Sequence, residues 1–141
     1  MPALDDGQRR ERLAKSPVAR LATLRADGTP RLVPITFVLL GDVVCSAVDD
    51  VKPKRSTRLA RLDDVRRDPR VALVADHYAD DWSALWWVRV DGTAAVHDTG
   101  PLRADALAAL CAKYLPYAAA PPDGPVLVIT PERWSGWSAT A

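Results

Sequence analysis

The apolar positions of this chain fall into short runs of strand length, separated by turn residues and by two stretches of helical spacing. Asp5 or Asp6 can cap a first helix that runs to about Lys15, and Pro17 ends it. Val18 to Arg25 reads as a strand, and Ala26-Asp27-Gly28-Thr29 as a hairpin turn, since Asp-Gly favours positive backbone angles. Arg31 to Leu40 predicts a second strand, with Pro34 pointing to an edge or a bulge. Gly41-Asp42 turns the chain again into a third strand, Val43 to Val48, apolar enough to be buried on both faces. These three strands predict a meander. Ser56 or Thr57 is placed to cap a short helix carrying Leu59, Leu62 and Val65 on one face, stopped by Asp68-Pro69. Arg70 to His77 predicts a fourth strand. Leu85 to His97 is the longest strand signal: Trp86, Val88, Val90, Ala94 and Val96 share one face, and Arg89 and Asp91 the other. Gly100-Pro101 precedes a helix from Leu102 to Leu115 with a stripe of Leu107, Leu110 and Leu115. Pro116 to Pro125 predicts irregular chain, and Val126 to Ile129 a sixth strand.

Six antiparallel strands with helices between them predict a mainly β fold, a small closed or split β-barrel. The 141 residues suit one domain. Basic and acidic residues nearly balance, 19 against 18, so no global field favours a nucleic acid or a membrane surface. Neither a long apolar run nor a leader pattern is visible, so the expected location is the cytoplasm. Cys45 lies in an apolar run and Cys111 in a helical pattern, which predicts two reduced structural thiols.

Local charge changes this picture. Val51-Lys52-Pro53-Lys54-Arg55-Ser56-Thr57-Arg58 is basic and hydroxyl-bearing, and holds two of the four lysines in the chain. Ammonium and guanidinium groups make charge-assisted hydrogen bonds to phosphate or carboxylate, so the tract is a candidate oxyanion grip. Side-chain catalysis finds no support. Walker and dinucleotide glycine motifs are absent, and His77 and His97 lie on different strands without a Cys/His cluster. Ser46, Ser56, Ser83, Ser135 and Ser138 stand in no nucleophile-elbow context. Asp80-Asp81 reads as a solvated loop and Asp63-Asp64 as a helix surface. Such a chain fits a redox protein whose reactive atom belongs to a cofactor. The basic tract would hold an anionic tail, the strands from Leu32 to Leu40 and Val43 to Val48 a ring, and Thr36 and Ser46 hydroxyls beside it. Five tryptophans are a heavy load for this length. Trp86 and Trp87 point to opposite faces of one strand, so one of them covers a second surface.

The ordered tracts Val18-Ala-Arg-Leu-Ala-Thr-Leu, Asp27-Gly-Thr-Pro-Arg-Leu-Val-Pro34, Gly41-Asp-Val-Val with Lys52 and Lys54, and Arg66-Arg-Asp-Pro-Arg-Val-Ala-Leu resemble the pyridoxamine 5′-phosphate oxidase-like (flavin-binding split-barrel) superfamily. Asp76-His-Tyr-Ala-Asp-Asp-Trp82 and Leu85-Trp-Trp-Val-Arg-Val-Asp-Gly92 are similar to its actinobacterial subgroup of F-420-dependent oxidoreductases. The resemblance spans Asp5 to Trp137. It implies a homodimer with cofactor sites at the subunit interface, and the deazaflavin coenzyme F-420 as cofactor, with FMN the alternative. It further implies that Val33, Pro34, Ile35 and Thr36 line the ring, with Ser46 and Ala47 beside it. Lys52, Lys54, Arg55 and Ser56 would grip the phosphate. Arg133, Trp134 and Trp137 would approach from the partner chain, and Arg20, Arg25 and Arg31 are candidates for an anionic tail. Tyr78 and Trp82 would bound a pocket for an electron-poor hydride acceptor such as an enone, a quinone or a tetrapyrrole. A non-catalytic dimer that binds a flavin or deazaflavin is the remaining alternative.

Overall fold

The computed structural model describes residues 3–48 and 55–140, with side chains from residue 60 onward in the second span. Helix α1 (Asp6–Lys15) begins with a reciprocal cap: the Asp5 carboxylate accepts the Gln8 backbone N–H, and the Gln8 side chain accepts that of Asp5. Among the described residues, seven strands follow. They are β1 (Ala19–Leu24), β2 (Pro30–Ile35), β3 (Val38–Leu40), β4 (Val43–Ala47), β5 (Arg70–His77), β6 (Trp86–His97) and β7 (Val126–Ser138). Helix α2 (Arg55–Arg67) joins β4 to β5, and α3 (Pro101–Lys113) with the short α4 (Leu115–Ala119) joins β6 to β7.

The strands form one antiparallel sheet in the order β2-β1-β5-β6-β7-β4-β3. The predicted second strand is two strands, which raises the count from six to seven. They occupy opposite edges of the sheet and are joined by Thr36 and Phe37 alone, so the expected three-strand meander does not form. Three residue steps span at most about 11 Å. The two edges are therefore held close, and the sheet curls on itself into a split barrel. Below, Thr36–Phe37 is called the seam. As an edge strand, β2 tolerates Pro34.

Register shows the interior. Ala19 faces Ile35, Leu21 faces Val33 and Leu73, and Leu73 faces Val90, while Ile129 faces both Val44 and Ala94. Val33 is half-buried; the others pack as one buried cluster. Leu13 of α1 joins this cluster, and so do Leu62 and Val65 of α2, two of the three positions expected to form that helix's apolar face. A second cluster sits under α3 and α4, where Cys45, Val126 and Val128 meet Ala106, Leu110 and Tyr117.

Three boundaries depart from the sequence reading. Ser56 and Thr57 lie inside α2 rather than capping it. The helix predicted to reach Leu115 stops at Lys113, because Tyr114 adopts an extended backbone. The chain then restarts as α4, so Leu115 points outward at 86% exposure and leaves the apolar stripe. The last strand does not end at Ile129 but runs on through Pro131 to Ser138. A register shift between Asp91 and Gly92 on β6 places Gly92 opposite Pro131. Proline has no N–H for the ladder, and the irregularity lets the strand pass it. No described helix is long and apolar enough to cross a membrane.

Candidate cofactor site at the barrel seam

The two segments predicted to line a ring meet at the seam. The Ser46 hydroxyl of β4 donates to the Thr36 carbonyl at 2.7 Å. Ile35, Ser46 and Ala47 are buried, Val33 and Thr36 half-buried, and Pro34 exposed. The Thr36 hydroxyl itself pairs with the Tyr117 hydroxyl at 2.7 Å. Both hydroxyls are thus spent on fixing the seam. What they leave for a ligand is the exposed Pro34 and the neighbouring backbone.

The α3–α4 junction holds the seam from outside. The Tyr114 hydroxyl accepts the Phe37 N–H at 3.0 Å, and its own proton can go to the carbonyl of Pro17 at 2.9 Å or of Phe37 at 3.0 Å. The Lys113 ammonium donates to the carbonyls of Ser16 and Phe37, at 2.8 and 2.9 Å, and lies 4.0 Å from the Phe37 ring centroid. This lysine was not singled out in the sequence. The only signal for it was its place near the end of a helix, where a cation suits the terminal carbonyls. Burial pushes its pKa down to about 8. Below that pH the charge is present in both the folded and unfolded chains. Between about 8 and the unfolded value near 10.4, the unfolded chain binds more protons at this group, so its contribution to stability rises with pH in that window, while the raised pKa of the Cys45 thiol works the other way in wild type and variant alike. Thermal melts across it should show the wild type gaining stability relative to Lys113→Met as pH rises. Parallel pH profiles would exclude the charge from the seam.

From Val48, whose N–H donates to the Pro125 carbonyl at 3.1 Å, the chain enters the basic tract. Lys52 and Lys54 lie outside the described residues. Arg55 and Ser56 open the first turn of α2, which carries no acidic residue.

The other predicted site residues are distributed as follows. Tyr78 and Trp82 are exposed, at 71% and 74%, on the loop between β5 and β6. That loop leaves the barrel at the same end as Ile35, because Ala19 pairs with Ile35 while β1 also pairs with β5 just before its His77 terminus. The C-terminal trio is split by strand alternation. Trp134 is partly buried against the barrel core, with the Arg10 guanidinium 5.0 Å from its ring centroid. Arg133 and Trp137 take the outer face. There Arg133 reaches Asp91 at 3.6 Å, and Trp137 lies opposite Trp87. Trp86 and Trp87 do separate as expected, Trp86 against the core and Trp87 outside beneath Arg89.

Of the three arginines considered for an anionic tail, Arg31 donates to Asp64 at 2.6 Å and Arg25 to the Pro30 carbonyl at 2.7 Å, while Arg20 is exposed on the outer face. Asp64 corrects the expectation of a helix-surface pair. Asp63 is exposed, but the Asp64 side chain is 2% exposed and also accepts the Thr23 hydroxyl at 2.7 Å. Cys45 is a buried thiol whose pKa burial pushes up to about 11, and Cys111 donates to the Tyr117 carbonyl.

A family model described as pyridoxamine 5′-phosphate oxidase matches residues 6–138. The chain belongs to the pyridoxamine 5′-phosphate oxidase family. No curated protein matches it. Among solved structures, a conserved hypothetical protein of Mycobacterium tuberculosis shares the fold of this family member with a TM-score of 0.79 at 16% identity, over 96% of this chain and 86% of that one. An FAD binding protein of Mycobacterium smegmatis aligns with a TM-score of 0.65 at 19% identity, over 97% of each chain. HutZ, a heme storage protein of Vibrio cholerae, aligns with a TM-score of 0.67 at 15% identity, over 94% of this chain and 90% of that one. Identities this low establish the shared split barrel of the family and nothing finer.

Proposed function

We propose that this family member is a homodimeric oxidoreductase that binds the deazaflavin F-420, with its ring against the seam and its phosphate on the basic tract. The observation that carries the reading is the Ser46–Thr36 hydrogen bond. It brings Val33–Thr36 and Ser46–Ala47 together at the point from which the chain leaves for Lys52, Lys54 and the start of α2. A helix N-terminus favours an anion through its free N–H groups and its dipole, and the basic residues before α2 add charge of the right sign.

A second chain suits the outer face of β2, β1, β5 and the Trp86 end of β6. Leu32 is 68% exposed there, and Ala22, Val74, Trp87 and Trp137 are half-buried. The Trp137 Nε1–H and the Ser135 hydroxyl are shielded from solvent yet have no hydrogen-bond partner among the described residues. Buried donors of this kind are matched in native proteins, so a ligand or partner acceptor beside them would complete the site.

When bound, the coenzyme supplies the hydride chemistry, and the acceptor is a small electron-poor molecule. The chain binds the coenzyme through Lys52, Lys54, Arg55 and Ser56, orients it on the fixed seam, and shields it with the aromatics Tyr78 and Trp82. FMN is the alternative ligand for the same contacts. The test is a titration of the purified protein with F-420, followed by quenching of tryptophan fluorescence, for the wild type and Lys54→Ala. Loss of one charge-assisted phosphate contact should weaken binding about tenfold or more. Equal affinities would remove Lys54 from the phosphate site.

A further inference from the structure

The break between α3 and α4 puts two polar side chains where a continuous helix would not. Pro116 has no N–H for the Ala112 carbonyl, and its ring would collide with that carbonyl, so α3 cannot run through it. The chain turns at the extended Tyr114, and its phenol and the Lys113 ammonium reach inward to the seam.

These two side chains bridge the two sides of the sheet. Helices α3 and α4 pack on the β7-β4-β3 side, over Val38, Cys45, Val126 and Val128. Yet Lys113 and Tyr114 also reach the carbonyls of Ser16 and Pro17, at 2.8 and 2.9 Å, in the link that enters β1 on the other side. Between these points they hold the N–H and the carbonyl of Phe37. The edge strands β2 and β3 are each paired on one side only, so no ladder bond crosses the split between them. The width of the split is therefore set by the two-residue seam and by the side chains that hold it. The residues proposed to line the ring stand on both sides, Val33 to Ile35 on β2 and Ser46 and Ala47 on β4.

We infer that Lys113 and Tyr114 are positioning residues, which hold the two sides of the split at the width that a bound ring requires. The inference rests on the ring reading above. A site already held in its bound form spares the ligand the cost of ordering it.

Three variants test this. Tyr114→Phe removes the hydroxyl and keeps the ring that stands edge-on to Tyr117. Lys113→Met removes the ammonium and keeps an unbranched stem beside the Phe37 ring. Leu115→Ser, at a side chain 86% exposed in the same junction, is the control. Two readouts are taken on the whole protein where every variant is folded: amide hydrogen exchange by NMR, and titration with F-420 and with FMN by tryptophan quenching. Phe37 is fully buried, so in Tyr114→Phe its N–H loses its acceptor with no water to replace it. That amide should exchange about tenfold faster, while amides of the β5–β6 ladder keep their rates. The cofactor should bind about tenfold more weakly to Tyr114→Phe and to Lys113→Met, and with wild-type affinity to Leu115→Ser. A merely structural role would lower the melting temperature and leave the affinity of the folded protein unchanged. That result, or an unchanged Phe37 exchange rate, would overturn the inference while the ring reading stands. A wild type that binds neither F-420 nor FMN would instead overturn the ring reading, and the positioning role with it.

Discussion

Gly92→Ala should lower the unfolding free energy by about 3 kcal/mol or more, at the upper end of what overpacking costs. A Cβ at this position would fall inside contact distance of the Thr130 carbonyl oxygen, 3.0 Å from its carbon and 3.1 Å from the Pro131 Cα. All three obstacles are backbone atoms, so no side-chain rotation relieves the clash. The glycine sits at the register shift that carries β7 past Pro131, within the longest strand pairing of the sheet. Gly136→Ala provides the contrast. Its Cβ would meet Arg9 Cγ at 3.0 Å and Leu4 Cδ1 at 3.2 Å, which are side chains that can move. It should cost about 1 kcal/mol. Urea denaturation of the two variants checks the order, and a Gly92→Ala protein as stable as Gly136→Ala would contradict the close approach.

Asp64→Ala should cost about 3 kcal/mol, the low end for breaking a buried ion pair because Arg31 keeps some exposure. The carboxylate is held by Arg31 and Thr23, with the Arg67 guanidinium 3.6 Å away. Burial works to raise the Asp64 pKa. The hydrogen bonds from Arg31 and Thr23 and the charges of Arg31 and Arg67 outweigh it, so the net shift is downward. Its contribution is therefore complete above the unfolded carboxyl value near 3.9 and is lost as pH falls through the lower folded value. Removing Asp64 strands a half-buried guanidinium and the buried Thr23 hydroxyl, whereas Arg31→Met and Asp64→Leu with Thr23→Val remove both charges and that hydroxyl and should restore most of the stability. Chemical denaturation near neutral pH and in acid checks all three statements. An Asp64→Ala loss below about 0.5 kcal/mol would place the pair with ordinary surface bridges.

The contrast between Asp63 and Asp64 shows where sequence reading stops. Alternation and turn residues located the strands well, because period-two burial and Asp-Gly turns are local properties. The capped first helix, the edge role of Pro34 and the opposed faces of Trp86 and Trp87 were legible for the same reason. The break at Thr36–Phe37 was not. Nothing in that apolar stretch is a turn signal, and the chain changes edges only because the sheet closes on itself. Nor was the continuation of β7, since Pro131 reads as a strand terminator unless the partner strand has a glycine opposite it. In the site, residue types and order suggested which segments would meet. Hydrogen-bond partners such as Tyr114, Tyr117 and Lys113 come from the far end of the chain, and local spacing carries no trace of them.

The most direct test of the central claim is a parallel titration of colourless, purified protein with F-420 and with FMN, read by tryptophan quenching. Tight, saturable binding of F-420 with weak binding of FMN is the result this account predicts. Saturation by neither would contradict a cofactor site at the seam and leave the basic tract as a solvated surface.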